Sequence, residues 1–165
     1  MKKHLPSGAD LIVITVTGVL IGVVILLLAL AGGIRALSLT ALLILYGIAF
    51  VLALVVIAGW MARPVQYEVR DDSITIRRSG PFKSITIGKQ AIKSIRHIQL
   101  HSFLPTARSL PWVFGYSGRF RSKEFGSFLM YATGAKEVVL IEAGEKYVIS
   151  PANPRRFMHD VSGKK

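Results

Sequence analysis

The chain has 165 residues and carries 21 Lys and Arg against 9 Asp and Glu, a formal net charge of +12. It contains no cysteine, which excludes disulfide bonds, thiolate catalysis and cysteine-ligated zinc. The charge is unevenly distributed, because Arg35 is the only charged residue between Leu11 and Ala62, whereas residues 63–165 hold eighteen basic and eight acidic residues.

Two apolar segments near the N terminus predict a transmembrane hairpin, which we assign to residues 1–63. The first span covers residues 11–31 and the second residues 37–61, with "GGIR" between them. Each segment is long enough to cross a hydrocarbon core of about 30 Å as a helix. Because backbone groups in lipid must be hydrogen-bonded internally, both segments are expected to be helical.

The flanking charges predict the orientation of this hairpin. Lys2 and Lys3 precede the first span and Arg63 follows the second, while the connecting loop offers only Arg35. The positive-inside rule therefore places both termini in the cytoplasm of a multi-pass inner (plasma) membrane protein. An alternative is signal-peptide cleavage near "ALA" at residues 29–31, although the apolar segment is longer than a usual signal-peptide core.

Small residues within the spans allow close helix packing. Gly18 and Gly22 form a G-x-x-x-G pair, and Ala49 and Ala53 form a similar pair in the second span. These pairs favour packing within the hairpin or, alternatively, dimerisation. The middle of the spans carries no titratable residue to form an ion path, so a transporter is not expected.

Residues 64–165 show the alternating pattern of short antiparallel strands. "VQYEVR", "SITIRR" and "FKSITI" each alternate apolar and polar residues, with turn signals between them. A strand from about Ser94, strand character over 119–133, "EVVLIEA" and "YVIS" bring the number to about seven.

Residues 101–118 interrupt this pattern with two prolines and several large apolar side chains. Loops of this length without their own structure are often functional. The apolar residues cover the mouth of the strand structure, or they form the docking loop for a partner. They are Phe103, Leu104, Trp112, Phe114 and Tyr116.

A short amphipathic helix is predicted at the C terminus. Pro151 ends the last strand, Asn153 is a favourable N-cap, and Pro154 suits the first helical position. Phe157 and Val161 then share one face. We expect this helix to close the open end of a small bent sheet.

The segments "VFGYSGRF" (113–120), "FLMYATGAKEVVLIEAGEKYVIS" and "SPANPRRF" (150–157) carry a family resemblance. In them the chain resembles membrane-anchored bacterial pleckstrin-homology (PH-like) domain proteins of uncharacterised function. The resemblance implies an α+β fold, in which a bent antiparallel β-barrel of about seven strands is capped by the C-terminal helix and serves binding, not chemistry. The structural markers are Gly115, Gly118, Phe120, Pro151, Asn153, Pro154 and Phe157.

A phosphoinositide site is not carried over from eukaryotic relatives. Those proteins have basic residues around the first two strands, where this chain has Asp71 and Asp72. His97 and His101 are four residues apart, but the local pattern favours strand and loop, so no metal site is predicted. With no nucleophile or phosphate-binding motif, we expect no catalytic site, no cofactor and no enzymatic activity.

The basic residues predict contact with a membrane surface. Only Ala62 and Arg63 separate the second span from Pro64, so the strand-rich part is expected to lie against the inner leaflet. Each Lys or Arg near an anionic bilayer contributes about 1 kcal/mol. The candidate contacts are Arg63, Arg77, Arg78, Lys83, Arg119 and Arg121. The alternative is an ordinary solvated surface.

Together these patterns predict a non-catalytic interaction or scaffold domain, residues 64–165, held by two spans at the cytoplasmic membrane surface. A partner protein or a second copy of the chain is the expected ligand, beside the lipid bilayer itself. Recognition of anionic lipid head groups by the basic face is the alternative. A nucleic-acid or enzymatic role is a minor one.

Overall fold

The computed structural model describes residues 1–34, 37–100, 103–110 and 113–163, without the side chains of residues 107–110. Two long helices come first, α1 at Leu11–Gly33 and α2 at Leu39–Ala62. Both are long and apolar enough to cross a membrane, at about 35 Å each. Most of their large apolar side chains are exposed, and the prediction of two such helices is confirmed.

Ten strands are present in the described part of the chain. They are β1 Lys2–His4, β2 Pro64–Val69, β3 Ser73–Arg78, β4 Ile85–Gly88, β5 Ser94–Ile98, β6 Leu104–Leu110, β7 Tyr116–Ser122, β8 Gly126–Ala132, β9 Val138–Ala143 and β10 Glu145–Ile149. A single 3₁₀ turn at Lys89–Ala91 joins β4 to β5, and the C-terminal helix α3 spans Pro154–Ser162.

The strands form two sheets that do not close into a barrel. The first sheet has the order β1-β2-β3-β4, and the second has the order β5-β9-β10-β8-β7-β6. All pairs are antiparallel except β10 with β8, which run parallel. The α+β class and the succession of two helices, strands and a final helix are confirmed. The closed antiparallel barrel is corrected to a sandwich-like pair of open sheets.

Three features raise the strand number above the expected seven. A turn splits the strand character at 119–133 into β7 and β8, and the segment 101–118 contains β6. The third addition is β1, which pairs antiparallel with β2 through Lys2 opposite Val69 and His4 opposite Tyr67. Residues 2–4, assigned by sequence to the hairpin segment, thus extend the sheet that begins at Pro64.

Strand β9 of the second sheet is buried on both faces. Val138, Val139, Leu140 and Ile141 of β9 are all fully buried, as expected for a strand with a continuous apolar run. Alternate residues belong to two separate clusters. Leu140 packs with Phe128, Met130 and Phe120, among others, on one face. Ile141 packs on the other face with residues of the first sheet and α3, including Tyr67, Ile74 and Phe157.

Helix α3 covers the second of these clusters. Asn153 caps the helix by accepting a hydrogen bond from the Arg156 backbone N–H at 3.0 Å, and Pro154 occupies the first turn. Phe157 and Val161 are buried, and Gly163 ends the helix in the left-handed conformation at φ 64°. The predicted helix and its apolar face are confirmed.

Candidate membrane-interface site at the helix–domain junction

The first strand brings the N terminus onto α3. The Lys2 ammonium lies 2.5 Å from an Asp160 carboxylate oxygen, and His4 Nε2 lies 3.1 Å from the other. The His4 ring also packs edge-on against Phe157 at 5.2 Å between centroids. Burial lowers the pKa of His4 despite the nearby carboxylate, and the hydrogen bond from Lys2 lowers the pKa of Asp160.

Residues 5–10 then run along the end of the last strand. The Ser7 N–H donates to the Ser150 carbonyl at 2.6 Å, and the Ala152 N–H donates to the Leu5 carbonyl at 2.9 Å. The Thr133 hydroxyl donates to the Ser7 carbonyl at 2.6 Å. These backbone contacts fix the path of the chain up to the start of α1.

Asp10 connects the start of α1 to the strand region. Its Oδ2 accepts a hydrogen bond from the Ala135 backbone N–H at 2.7 Å and one from the Tyr116 hydroxyl at 3.3 Å. Burial, followed by the charge of Asp10, raises the pKa of Tyr116 above its ordinary value, so the phenol stays protonated and donates. Gly134 leaves room for this contact, because a Cβ there would lie 2.9 Å from Asp10 Oδ1.

The loop of residues 113–115 packs against both helices. The Phe114 backbone N–H donates to the Thr17 hydroxyl of α1 at 3.1 Å, six residues or about 9 Å along the helix from Leu11. Val113 is buried against Gly59 of α2, where a Cβ would lie 2.5 Å from a Val113 methyl carbon. Phe114 adopts a left-handed conformation with φ 57°, which is uncommon for a non-glycine residue.

These contacts border a groove of about 670 Å³ between α1, the end of α2 and the loop. One wall is mostly apolar and belongs to α1, and the rest of the lining comes from residues 5–7, 9, 63–65, 114 and 133. The lining residues used below are Val13, Ile14, Gly18, Ile21, Arg63 and Phe114.

Arg63 is the cation of this groove. It follows the last residue of α2, and its guanidinium carbon lies 5.5 Å from the centre of the Trp60 ring, a cation–π distance. Its Nε is buried and has no hydrogen-bond partner within the described residues. None of the ion pairs found in that part of the chain includes Arg63.

Comparison with known proteins agrees with the two sheets and the final helix. A family model described as a bacterial PH domain matches residues 65–165. The chain belongs to this family. Neither the search of curated proteins nor that of solved structures found a match. The matched region leaves β1, α1 and α2 outside, so the groove lies where the PH domain meets the rest of the chain.

The structure places four of the six predicted basic residues near one another, namely Arg63, Arg77, Arg78 and Lys83. The Ser79 N–H donates to the Arg63 carbonyl, and Pro64 is the strand partner of Arg78. Only Arg63 lines the groove. On the PH domain Arg77 contacts the buried Glu68 at 2.6 Å, and Arg119 contacts Glu145 at 2.9 Å. The Arg78 guanidinium donates to the Lys83 carbonyl and lies over the Phe82 and Tyr131 rings. Arg121 lines a separate cavity with Phe103 and Leu104. Several of these six side chains thus have partners within the chain, and their contact with a membrane stays a prediction.

The five predicted interface residues do not lie at one site. Tyr116 is buried, and Phe103 packs edge-on against it at 5.3 Å. Phe114 faces the groove, whereas Leu104 is 72% exposed at the start of β6. Trp112 lies outside the described residues. The marker Gly115 is explained by its φ of 141° and by a Cβ that would meet the Ala132 carbonyl at 2.6 Å.

The remaining markers of the PH domain have structural places. Gly118 has φ 117°, Phe120 is fully buried, and Pro151 forms an isolated bridge with Pro6.

His97 pairs with Glu137, while His101 lies outside the described residues. In the described part of the chain no three His, Asp or Glu side chains lie close enough together to hold a metal ion.

Sequence reasoning missed the residues that hold the junction, namely Asp10, Thr17 and Gly59. Asp10 did carry a signal, because it is the only acidic residue before Glu68 and directly precedes an apolar span. A carboxylate at that position needs hydrogen-bond donors from elsewhere in the fold. Thr17 and Gly59 are residue types that are ordinary in transmembrane helices and carried no such signal.

Proposed function

We propose that the chain is a non-catalytic scaffold of the bacterial inner membrane, with both termini cytoplasmic, whose PH domain binds a partner protein at the membrane surface. The observation that supports this is the fixed attachment of the PH domain to the apolar helices. Asp10 and Thr17 each accept hydrogen bonds from the PH domain, and Val113 packs on Gly59.

A fixed attachment favours scaffolding because it restricts orientation. A domain on a flexible linker samples many orientations, and each partner contact then costs ordering entropy. Here β2 begins two residues after α2, and β1 joins the same sheet from the other end of the hairpin. These attachments at both ends of the hairpin restrict the orientation of the PH domain relative to the helices.

We place the partner at the start of β6. This strand is at the edge of the second sheet, so its outer backbone groups can pair with an added strand. Beside it a cavity of about 450 Å³ is lined by Phe103, Leu104, Arg121 and Lys123, among others. An extended peptide with an apolar side chain and acidic neighbours matches this surface.

The absence of native cysteine makes the orientation testable with single-cysteine variants. We expect Leu104→Cys and Lys136→Cys, both at exposed positions, to react with a membrane-impermeant maleimide in inside-out vesicles. Right-side-out vesicles should give no labelling until they are permeabilised. Labelling of intact right-side-out vesicles would place the PH domain outside and contradict the proposal.

The partner is tested by cross-linking from the same positions in native membranes. A photoreactive group on the thiol of the Leu104→Cys variant should give a discrete adduct that the matched Lys136→Cys variant does not give. The adduct should disappear when Phe103 is also replaced by Ser. An adduct of twice the chain mass would identify a second copy as the partner, and equal adducts from both positions would contradict a β6 site.

Recognition of anionic lipid head groups is the second proposal, and the unpaired Arg63 favours it. It predicts salt-sensitive association with anionic membranes, because exposed charges are screened within about 8–10 Å at physiological ionic strength. Arg77 and Arg119 have ion-pair partners within the chain, so Arg63 and its groove are the first place to test for a head group.

A further inference from the structure

The groove at the junction combines a half-buried cation with an apolar wall. Arg63 stands at the end of α2, where a helix that crosses the membrane reaches the head-group layer. From that level the apolar wall runs along α1 through Val13, Ile14 and Ile21. The helix rises by about 12 Å from Val13 to Ile21, enough to cover the upper part of an acyl chain.

The Arg63 side chain is half-buried and suits an anionic ligand. A guanidinium that loses further water is destabilised unless an anion replaces that water. Arg63 has the Trp60 ring on one side, but among the described residues no carboxylate pairs with it and its buried Nε has no acceptor. Phosphate oxygens match the guanidinium fork with two parallel hydrogen bonds.

The apolar wall selects the kind of anion. Ile14 is 58% exposed and Ile21 is 39% exposed, so both offer surface for an acyl chain. Gly18 lies between them and has no atom within 4 Å of the position of a Cβ. This gap gives the groove its depth, and a free inorganic anion would leave it unfilled.

We infer that the groove binds one glycerophospholipid molecule, with its phosphate on Arg63 and an acyl chain along α1 beside Gly18. The lipid fills the space between the helices and the PH domain and supplies an anion that the described residues do not place at Arg63. This inference rests on the proposed placement of α1 and α2 in the membrane.

The test uses the delipidated full-length chain in detergent and native mass spectrometry. Phosphatidylglycerol should bind as one molecule per chain. Diacylglycerol, which has the same chains without the phosphate, and inorganic phosphate, which lacks the chains, should each bind at least about tenfold more weakly. Equal binding of diacylglycerol, or displacement of the lipid by inorganic phosphate, would overturn the inference.

Matched variants locate the site. Arg63→Gln should weaken phosphatidylglycerol binding about tenfold or more, and Arg63→Lys should have a smaller effect because it keeps the charge but loses the fork. Gly18→Leu should block binding by filling the groove. The controls Arg121→Gln and Gly22→Leu lie outside the groove and should bind like the wild type. Unchanged binding by both Arg63→Gln and Gly18→Leu would refute the site.

The cysteine-labelling experiment separates this inference from the proposed function. If Arg63→Gln binds lipid normally while the Leu104→Cys variant is still labelled only in inside-out vesicles, the lipid site fails and the scaffold proposal stands. If the Leu104→Cys variant is labelled in right-side-out vesicles, the proposed function itself fails, and the lipid inference loses its basis.

Discussion

Asp10 shows how a carboxylate is stabilised next to an apolar helix. It is the N-cap residue of α1, yet its side chain makes no capping hydrogen bond and turns to the PH domain. There it accepts from the Ala135 N–H and the Tyr116 hydroxyl. Hydrogen bonds to a charged acceptor are stronger than neutral ones, so this residue couples the helix to the domain.

Replacement of Asp10 should weaken that coupling. Asp10→Ala leaves the Ala135 N–H without its acceptor, which should lower the free energy of unfolding of the PH domain by about 1–3 kcal/mol. Asp10→Asn keeps one acceptor oxygen and should cost less. Denaturant unfolding of the full chain in detergent measures both, with the exposed Asp71→Ala as the control that should change nothing. Equal stability of Asp10→Ala and wild type would contradict the role of this contact.

Gly115 is a second position where a small change, the addition of a Cβ atom, is expected to lower stability. In Gly115→Ala the new Cβ would meet the Ala132 carbonyl at 2.6 Å while φ is 141°, a region that L-residues rarely adopt. We expect a loss of about 2 kcal/mol or more in the free energy of unfolding. Gly88→Ala is the control, because Gly88 has φ −67° and no atom within 4 Å of a Cβ. Thermal unfolding of the two variants should therefore differ clearly.

Among the elements, α3 stabilises the fold through one buried ring. Phe157 is fully buried and contacts the rings of His4 and Tyr67. Phe157→Ala should lower the free energy of unfolding by about 3–5 kcal/mol, and Asn153→Ala should remove the cap at a cost of about 1 kcal/mol. Circular dichroism during denaturation tests both. The exposed Arg155→Ala should be neutral, and a similar loss there would show that α3 acts by its charge.

The attachment of β1 should depend on pH. Burial lowers the pKa of His4 below its ordinary value of 6.5, and Lys2, Asp160 and Arg156 are the charged groups around it. The unfolded state therefore binds a proton more readily, so the stabilisation is complete above pH 6.5 and declines as pH falls through the lowered pKa. The lowered pKa of Asp160 adds a loss in the same direction, below its ordinary value of 3.8.

Hydrogen exchange measures this dependence. Amides of β1 and of its partner β2 should exchange faster, relative to intrinsic rates, at about pH 5 than at about pH 8, whereas those of the central strand β8 should not change. His4→Phe keeps an aromatic ring on Phe157 without a titrating group, so its profile should be flat over this range. A profile of the wild type that is equally flat would contradict the role of His4.

Local patterns predicted most elements, and long-range pairing explains the rest. The spans, α3 and seven strand segments follow from hydrophobic period and capping residues. The sequence Lys2-Lys3-His4 shows no alternation, and its partner strand begins about sixty residues later, so nothing local marks β1. The two prolines of the 101–118 segment favoured a loop over a strand, so β6 was not predicted. Whether sheet edges meet depends on the packing of whole sheets, and for that reason the barrel was predicted wrongly.

The candidate site was less predictable than the fold. Arg63 was found because a cation directly after a long apolar segment is recognisable in the sequence. That no carboxylate of the described residues pairs with it depends on the fold. Arg77 and Arg119 were predicted as cations too, but Glu68 on the neighbouring strand and Glu145, two strands away from Arg119, form ion pairs with them. Sequence gives the charges, and only the fold decides which of them remain available.

At the scale of the whole molecule, the PH domain depends on residues outside its family boundary. A fragment of residues 64–165 lacks β1 and the contacts of Leu5, Ser7 and Asp10. We expect it to be less stable than a variant in which residues 1–10 are joined to residue 63 by a flexible Gly-Ser linker in place of the helices. Comparing urea midpoints of the two soluble forms tests this. Equal midpoints would show that the N-terminal segment contributes nothing.

The meeting of Lys2 with Asp160 and of Ser7 with Ser150 also sets an order of synthesis. Residues 1–62, which include β1 and both apolar helices, are synthesised before strands β2–β10. The opening residues therefore cannot make these contacts until synthesis has passed Ser150 and then Asp160. Closure between the two distant segments is thus delayed until α3 is made, and a chain truncated before residue 150 would lack both contacts.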